Sequence, residues 1–148
     1  MIYLSLMSTE VSERILIYTD GAAEPNPGHA GIGVVVFNEQ GVEICRHHEY
    51  VGERTNNQAE YLAILKGLDI AAGICRREVI CHSDSELVVR QINGLYRIKN
   101  SELRELCTQV LQKRALFKRV DFVHVPREQP RMRIADQLSR QAIRERGA

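Results

Sequence analysis

The chain has 148 residues, of which 44% are hydrophobic and 26% charged, and its formal net charge at pH 7 is +1. These values are typical of a globular protein with one domain and its own apolar core, and no apolar run approaches the roughly 20 residues that cross a membrane. Residues 97–148 hold 13 Lys and Arg against 6 Asp and Glu, whereas the preceding part is acidic. This asymmetry favours a polyanionic partner, with solvated helix faces as the alternative.

The cysteines and the N-terminus bear on the cellular compartment. The four cysteines are widely spaced and form no Cys-x-x-Cys pair: Cys45, Cys75, Cys81 and Cys107. We therefore expect reduced thiols in a cytoplasmic protein rather than a zinc or redox site. The first residues, MIYLSLMSTE, are apolar over a short run only and carry no basic side chain, which is a poor signal peptide. We expect residues 1–14 to be an N-terminal extension of the domain. This extension is interpreted either as a disordered segment or as the result of a start codon assigned too early, with Met7 as the true start.

The first predicted element is a buried strand that leads to an aspartate. Residues Ile15–Tyr18 are apolar and rich in β-branched side chains, as in a strand of a core. The strand is predicted to end on Asp20, next to Gly21 and a loop rich in Gly, Pro and Asn. Burying a carboxylate is unfavourable unless it is paired or binds a metal ion. Asp20 is therefore a candidate functional residue, and an ordinary Asp-Gly turn is the alternative.

Two more strands follow, and then helices and strands alternate. An apolar strand over 32–37, a turn at Asn38–Gly41 and a strand over 42–51 predict an antiparallel meander. The later order of helix and strand is typical of parallel crossover units. The first crossover unit is expected to contain a helix capped by Thr55 and ended by Gly73, followed by a strand over 78–82. The next helix is opened by the box Ser83–Glu86 and ended by Gly94. The last elements are a helix from Asn100-Ser101 to Phe117, a strand over 120–125, a polar loop over 126–133 and a helix over 134–146.

Four carboxylates occupy similar positions in this scheme: Asp20, Glu60, Asp84 and Asp136. Two follow parallel strands and two lie near helix starts, so all four can meet at one edge of the sheet. Clustered carboxylates repel one another unless cations neutralise them, and oxygen ligands alone favour Mg²⁺ or Mn²⁺. Two such ions about 3.5–4 Å apart form a clamp for displacement at phosphorus. Each residue has a simpler alternative. Glu60 can be an ordinary acid favoured near a helix start by the helix dipole, and Asp84 can be part of a capping motif. Asp136 can be a surface acid paired with Arg140.

The chain resembles the type I ribonuclease H family from about Arg14 to Arg146. The motifs that carry the resemblance are YTDGAAEPNPGHAGIGVVV, TNNQAEYLAILKGL, HSDSELVVRQING and ADQLSRQAI, in the family's order. The resemblance implies an α/β ribonuclease H-like fold over residues 15–146. In that fold a five-stranded mixed sheet, antiparallel for strands 1-2-3 and parallel for 1-4-5, has helices on both faces.

The resemblance also implies roles for individual residues. Asp20, Glu60, Asp84 and Asp136 would hold two Mg²⁺ ions, with Mn²⁺ as a substitute. Water would cleave the RNA strand of an RNA–DNA hybrid, leaving a 3′-hydroxyl and a 5′-phosphate. The implied substrate contacts are Gly21, Asn26 and Asn57 at RNA 2′-hydroxyls, Glu86 beside them, and Thr55 and Asn56 at the DNA strand and its phosphates. A 2′-hydroxyl is the group that marks RNA, and phosphate contacts carry no sequence information.

The chain departs from some family members in two regions. It resembles the compact branch, because GLYRIKNSELREL lacks a separate basic protrusion; Tyr96, Arg97 and Lys99 are candidates for a smaller contact, or Tyr96 for rim packing. The loop PREQPRMRI also lacks the catalytic histidine that some members carry before the last aspartate. His124 lies early for that role and is more simply structural. Arg127 or Arg131 is a candidate for assisting product release.

The sequence as a whole predicts a metal-dependent endoribonuclease that acts on RNA–DNA hybrids. We expect it to be a monomer that does not associate with a membrane. One alternative is a hybrid-binding module without catalysis, which the acidic quartet argues against. Another is a superfamily nuclease that cuts DNA, which the elements resembling 2′-hydroxyl readers argue against.

Overall fold

The computed structural model describes residues 14–146, so all of the expected N-terminal extension except Arg14 lies outside the described residues. The strands are β1 (Arg14–Glu24), β2 (Gly28–Asn38), β3 (Glu43–Arg54), β4 (Glu78–Ser83) and β5 (Arg119–His124), and the helices are α1 (Asn56–Ala72), α2 (Glu86–Ile92), α3 (Ser101–Arg114) and α4 (Pro130–Arg144). Within residues 14–146, none of the helices combines the length and apolar character that crossing a bilayer requires.

The strands form one mixed sheet in the order β3-β2-β1-β4-β5. β1 runs antiparallel to β2, and β2 antiparallel to β3. β1 is parallel to β4, which is parallel to β5. The predicted five-stranded mixed sheet is therefore confirmed. The turn between β2 and β3 is also as expected, because the Asn38 side chain accepts hydrogen bonds from the backbone N–H groups of Gln40 and Val42, and Gly41 adopts a φ of 85°.

The prediction that β1 ends at Asp20 is wrong, because the strand continues to Glu24. Its parallel pairing with β4 stops at Thr19, opposite Ser83, whereas its antiparallel pairing with β2 continues to Glu24. The supposed loop after Asp20 is thus the arm of a hairpin, whose backbone hydrogen bonds come from β2. Asp20 is the first residue of β1 beyond the end of β4, so no strand pairs with β1 on that side of Asp20.

Several other predicted boundaries need correction. β3 extends to Arg54 rather than residue 51, α3 ends at Arg114 rather than Phe117, and the cap of α2 is Ser85 rather than Ser83. The largest error concerns α4, which begins at Pro130, inside the predicted loop 126–133. The Gln129 side chain accepts hydrogen bonds from the backbone N–H groups of Arg131 and Met132. Proline suits the first helical turn because its missing N–H would have no helical partner there.

Helices cover both faces of the sheet, as predicted. Side chains alternate across a strand, so neighbours on β1 face different layers. Ile17 lies in a core shared with α1, α2 and α3, which includes Tyr61 and Leu68. Tyr18 lies on the opposite face in a core with Met132 and other residues of α4. The sheet is therefore packed on both faces, by α1, α2 and α3 on one side and by α4 on the other.

The capping box at the start of α1 yields a stability prediction. The Thr55 hydroxyl accepts from the backbone N–H of Gln58, 3.1 Å away, and the Gln58 side chain accepts from the backbone N–H of Thr55 at 2.9 Å. Thr55→Ala should therefore lower the free energy of unfolding by about 1 kcal/mol. Thr108→Ala is a matched control, because Thr108 is exposed in mid-helix on α3 and alanine favours helix there. Urea denaturation compares the two variants; equal stabilities would contradict the capping role.

Candidate active site

All four predicted carboxylates line one cleft at the edge of the sheet where β4 ends. The cleft has a volume of about 300 Å³. Its walls come from the distal half of β1, the start of α1, the turn after β4, and α4. The lining residues are Asp20, Gly21, Ala22, Ala23, Glu24, Asn56, Asn57, Glu60, Asp84, Ser85, Arg127, Asp136 and Arg140.

Asp20 and Glu60 lie together because β1 and α1 approach very closely. A Cβ on Gly21 would lie 2.3 Å from the carbonyl carbon and oxygen of Ala59 and 2.6 Å from the Glu60 nitrogen. Only glycine permits this approach. The backbone N–H of Gly21 donates to Glu60 Oε1 at 3.2 Å. Asp20 and Glu60 are 5% and 8% exposed, so both carboxylates are largely removed from water.

Asp84 lies in the short connection between β4 and α2. Ser83 ends β4 and is buried, and its hydroxyl accepts from the backbone N–H of Ser85 at 3.1 Å. Ser85 in turn caps α2 by accepting from the backbone N–H of Val88. These bonds fix the backbone on both sides of Asp84. The Asp84 side chain is 12% exposed, and Arg127 Nε lies 3.9 Å from its Oδ2.

Asp136 enters the cleft from α4, in the second turn of the helix rather than near its start, because α4 begins earlier than predicted. Gly33 pairs with Asp20 in the sheet, and a Cβ there would lie 2.2 Å from the carbonyl oxygen of Ala135. α4 therefore packs directly on β2 beside Asp20. Arg140 Nε donates to Asp136 Oδ1 at 3.1 Å. The ion pair considered as an alternative does form, and it forms inside the cleft.

The donor set fits a cation that prefers oxygen ligands. Asp20, Glu60 and Asp84 each offer an oxygen, and these atoms all lie within 4.8 Å of one another. Asp136 is outside this group of three but lines the same cleft. Neither histidine nor cysteine is among the lining residues. The two arginines of the cleft form ion pairs with Asp84 and Asp136, so the two most buried carboxylates have other carboxylates as their main neighbours.

Burial and mutual repulsion raise the pKa values of this cluster. Desolvation, followed by the charge of Asp84 and contacts with Asp136, raises the pKa of Asp20 well above its ordinary value. Desolvation, followed by the charges of Asp20 and Asp84, likewise raises the pKa of Glu60. The pKa of Asp84 is raised by desolvation and the charge of Asp136, against the opposing charge of Arg127. The raised pKa values favour the protonated forms of these carboxyls when no cation is bound, and a bound cation favours the ionised forms.

These shifts predict that the cation-free protein loses stability as the pH rises above the ordinary pKa values of Asp20 and Glu60. Asp20 and Glu60 ionise near their ordinary pKa values of 3.8 and 4.5 when the chain is unfolded and at a higher pH when it is folded. Between those values the folded state binds more protons, so the free energy of unfolding falls with rising pH. Mg²⁺ should reduce the decline. Thermal denaturation at pH 5, 6, 7 and 8, in EDTA and in Mg²⁺, measures both effects; a stability that rises over this range in EDTA would contradict them.

The predicted substrate residues divide into those inside the cleft and those outside. Gly21, Asn56 and Asn57 line it. Asn26 lies beside it, because its Oδ1 accepts from the backbone N–H of Asn56 at 3.0 Å. The Asn56 Oδ1 in turn accepts from the backbone N–H of Ala23 at 2.8 Å. This pair of bonds ties the β1–β2 turn to the start of α1.

Thr55 and Glu86 lie outside the cleft. Thr55 lines a neighbouring depression with Arg54 and Glu102. Glu86 is exposed on α2 and pairs with Arg90 at 2.9 Å. The two residues are therefore close to the start of α1 and of α2 respectively, and neither contributes to the cleft wall.

The remaining candidates have distinct surroundings. His124 is exposed at the end of β5 and is not among the residues that line the cleft. The Arg131 guanidinium lies over the rings of Phe37 and Tyr18, at 4.1 and 5.6 Å from their centroids, which is a packing role. Tyr96 is 45% exposed, with the Arg90 guanidinium 5.4 Å from its ring centroid. Arg127 alone of the two candidate loop arginines reaches the cleft.

Sequence reasoning missed one charged residue of the cleft, Glu24. It lies at the far end of β1 and pairs with Arg140. The spacing of Arg140 four residues after Asp136 signalled a helical ion pair. Nothing in the local sequence signalled that Glu24 would reach the same arginine, since the contact joins a hairpin arm to the last helix.

Comparisons with known proteins agree with this fold and cleft. The family described as "Reverse transcriptase-like" matches residues 18–142. The bifunctional protein Rv2228c of Mycobacterium tuberculosis is 34% identical over 88% of this chain, which spans only 35% of that protein. The crystal structure of RNase H1 from the halophilic archaeon Halobacterium salinarum is 31% identical, with a TM-score of 0.85, and the match covers 89% of this chain and 98% of that one.

A third relative is LC11-RNase H1, isolated from compost by a metagenomic approach and solved in complex with an RNA/DNA hybrid. It is 40% identical, with a TM-score of 0.80, and the match covers 88% of this chain and 97% of that one. The family match over residues 18–142 includes all four carboxylates of the cleft. On this basis the chain belongs to the type I ribonuclease H family.

Proposed function

We propose that this protein is a metal-dependent endoribonuclease that hydrolyses the RNA strand of RNA–DNA hybrids and leaves 3′-hydroxyl and 5′-phosphate ends. The observation that carries the proposal is the convergence of four carboxylates in one cleft, three of them with oxygens within 4.8 Å of one another. The 40% identity to a ribonuclease H1 solved with an RNA/DNA hybrid supports the choice of substrate. A binding module without catalysis would gain nothing from buried carboxylates that repel one another.

The proposed cofactor is two Mg²⁺ ions, for which Mn²⁺ can substitute. Asp20, Glu60, Asp84 and Asp136 are the proposed ligands, since their oxygens suit hard cations. When bound, such a pair of ions supplies an activated water and stabilises the leaving oxygen. The protein's part is to hold the four carboxylates on rigid elements. The bond from the Gly21 N–H to Glu60 and the serines around Asp84 support that task.

The recognition of RNA is proposed to occur along the rim of the cleft. Gly21, Asn26 and Asn57 are the proposed contacts to RNA 2′-hydroxyls, joined by Glu86. The amide oxygen of Asn26 is already used within the protein, so its amide nitrogen is the group left for substrate. Thr55 and Asn56 are the proposed contacts to the DNA strand and its phosphates. Such contacts position a substrate without reading bases, so cleavage should be largely independent of sequence.

We further propose that the protein works as a cytoplasmic monomer. All four cysteines lie within the described residues and carry no disulfide, which agrees with a reducing compartment. Size-exclusion chromatography with light scattering tests the oligomeric state. The predicted mass of one chain is 16.9 kDa, and a particle of twice that mass would contradict the proposal.

A panel of labelled duplexes tests the proposed function and separates it from its alternatives. The panel contains an RNA–DNA hybrid, DNA duplex, RNA duplex and a hybrid whose RNA strand carries a central 2′-deoxy window. The wild type with Mg²⁺ should cut only the RNA strand of the hybrid and spare the window. Binding of the hybrid without cutting would favour the binding module. Cleavage of the DNA duplex would favour the alternative nuclease.

A further inference from the structure

The cleft contains a fifth carboxylate, Glu24, which the proposed metal site does not use. Its side chain is 47% exposed at the end of β1, and it accepts a hydrogen bond from a guanidinium N–H of Arg140. Arg140 also donates through Nε to Asp136 Oδ1, 3.1 Å away. One arginine therefore bridges a hairpin arm and the fourth member of the acidic quartet.

This bridge constrains the side chain of Asp136. Asp136 and Arg140 lie one turn apart on α4, and Glu24 lies on a separate element. The guanidinium is planar and presents its donors in a fixed fork, so two simultaneous contacts fix its orientation. Because Arg140 holds Oδ1 of Asp136, rotation of this carboxylate is restricted. Asp136 lies near Asp20 because α4 packs closely on β2 at Gly33, which pairs with Asp20 in the sheet.

We propose that Arg140, anchored by Glu24, is a positioning residue that orients Asp136 for cation binding. The inference rests on the proposed function only in taking Asp136 as a cation ligand. Partners that orient a ligating carboxylate contribute about 10- to 100-fold to metal affinity or activity. Arg140 is needed for its geometry, because a lysine at the same position would keep the charge but could not make two contacts through a rigid fork.

The main competing interpretation is that Arg140 merely offsets negative charge. The two interpretations differ in their predictions for two substitutions. If only charge matters, Arg140→Lys behaves as the wild type and Arg140→Gln binds cations more tightly, because a repelling charge is removed. If Arg140 positions Asp136, then Arg140→Lys, Arg140→Gln and Glu24→Gln all bind cations more weakly. Arg140→Gln is the most telling variant, since the two interpretations predict opposite changes in its cation affinity; Glu24→Gln removes a carboxylate from the cleft and weakens cation binding under both.

The experiment measures Mn²⁺ binding calorimetrically without substrate and, separately, the kinetics of hybrid cleavage. Arg140→Lys should raise the dissociation constant for Mn²⁺ about 10-fold and lower kcat, with little change in KM for the hybrid. Glu24→Gln should change the dissociation constant and kcat in the same directions but by smaller factors. The double variant with Arg140→Lys should bind Mn²⁺ and cleave hybrid as well as Arg140→Lys alone. Arg46→Lys is the matched control, because Arg46 is also an ion-paired arginine but lies on β3.

The outcomes separate this inference from the proposed function. Wild-type binding by Arg140→Lys, or tighter binding by Arg140→Gln, would overturn the positioning role. A wild type that binds no Mn²⁺ would overturn it as well, since Asp136 would then have no cation to serve. A wild type that binds Mn²⁺ and cuts no hybrid would overturn the proposed function, and the calorimetric comparison of the variants would still decide the role of Arg140.

Discussion

Replacing Asp20 with asparagine should severely slow hybrid cleavage and, at the same time, raise the thermal stability of the cation-free protein at pH 8. The carboxylate is 5% exposed and lies among other carboxylates. Losing one metal-binding charge should lower the rate about 10³-fold or more, which corresponds to roughly 4 kcal/mol in the barrier. The amide keeps the size of the side chain and can donate a hydrogen bond to Glu60 or Asp136. It therefore replaces repulsion between buried charges by an attraction.

Thermal denaturation in EDTA measures the stability of this variant, and single-turnover cleavage of a labelled hybrid measures its rate. At this chain length, each kcal/mol of stabilisation raises Tm by about 4 °C. The stabilisation should diminish at pH 4, because the raised pKa values of Asp20 and Glu60 favour their uncharged forms there. Asp69→Asn is the control, since Asp69 is exposed on α1 and pairs with Lys113 outside the cleft. A variant that is both active and no more stable than the wild type would contradict the repulsive cluster.

Gly21→Ala should destabilise the protein and impair cleavage together, although it adds only one methyl group. That methyl would lie 2.3 Å from two backbone atoms of Ala59 and 2.6 Å from the Glu60 nitrogen. Backbone atoms cannot rotate away as a flexible side chain can, so α1 must move outward. The expected loss of stability is about 3 kcal/mol, at the upper end for overpacking. The resulting displacement of Glu60 by about 1 Å should lower the rate of hybrid cleavage about 10²-fold.

Gly73→Ala is the matched control for this prediction. Gly73 ends α1 in a right-handed conformation, and a Cβ there would meet only the Ile70 carbonyl oxygen at an ordinary 3.5 Å. Its stability and activity should therefore stay close to the wild type. Urea denaturation and cleavage kinetics are measured on both variants. If Gly21→Ala folded and cut like Gly73→Ala, the close approach of β1 and α1 would not be what brings Asp20 and Glu60 together.

The sheet and the convergence of the quartet could be predicted because their signals are local. Apolar runs mark the strands, the box at Thr55 marks the start of α1, and a parallel arrangement of β1 and β4 brings Asp20 and Asp84 to one edge. Asp136 was placed in the quartet because it was predicted near the start of a helix at the same edge, and the resemblance of ADQLSRQAI to the family motif supported that placement. These features depend on residues close together in the chain, or on a rule about sheet edges.

The features that were mispredicted depend on partners distant in sequence. β1 continues past Asp20 because β2 supplies its hydrogen bonds, so Gly21, which was predicted to lie between the strand end and a loop, is inside the strand and contacts α1. α4 begins at Pro130 because Gln129 folds back onto its first turn, a cap that is uncommon for glutamine. The ion pair of Glu24 with Arg140 joins residues 116 positions apart, and no local pattern indicates such a contact.

The most direct test of the proposed activity is cleavage of an end-labelled RNA–DNA hybrid by the wild type and by Asp84→Asn, each with Mg²⁺ and with EDTA. The wild type should cut the RNA strand internally with Mg²⁺ and not at all in EDTA. The variant should lose several orders of magnitude in rate while keeping the circular dichroism spectrum of the folded protein. If the wild type binds the hybrid and cuts nothing with either Mg²⁺ or Mn²⁺, or if Asp84→Asn cuts at the wild-type rate, the assignment of catalysis to this carboxylate cluster is wrong.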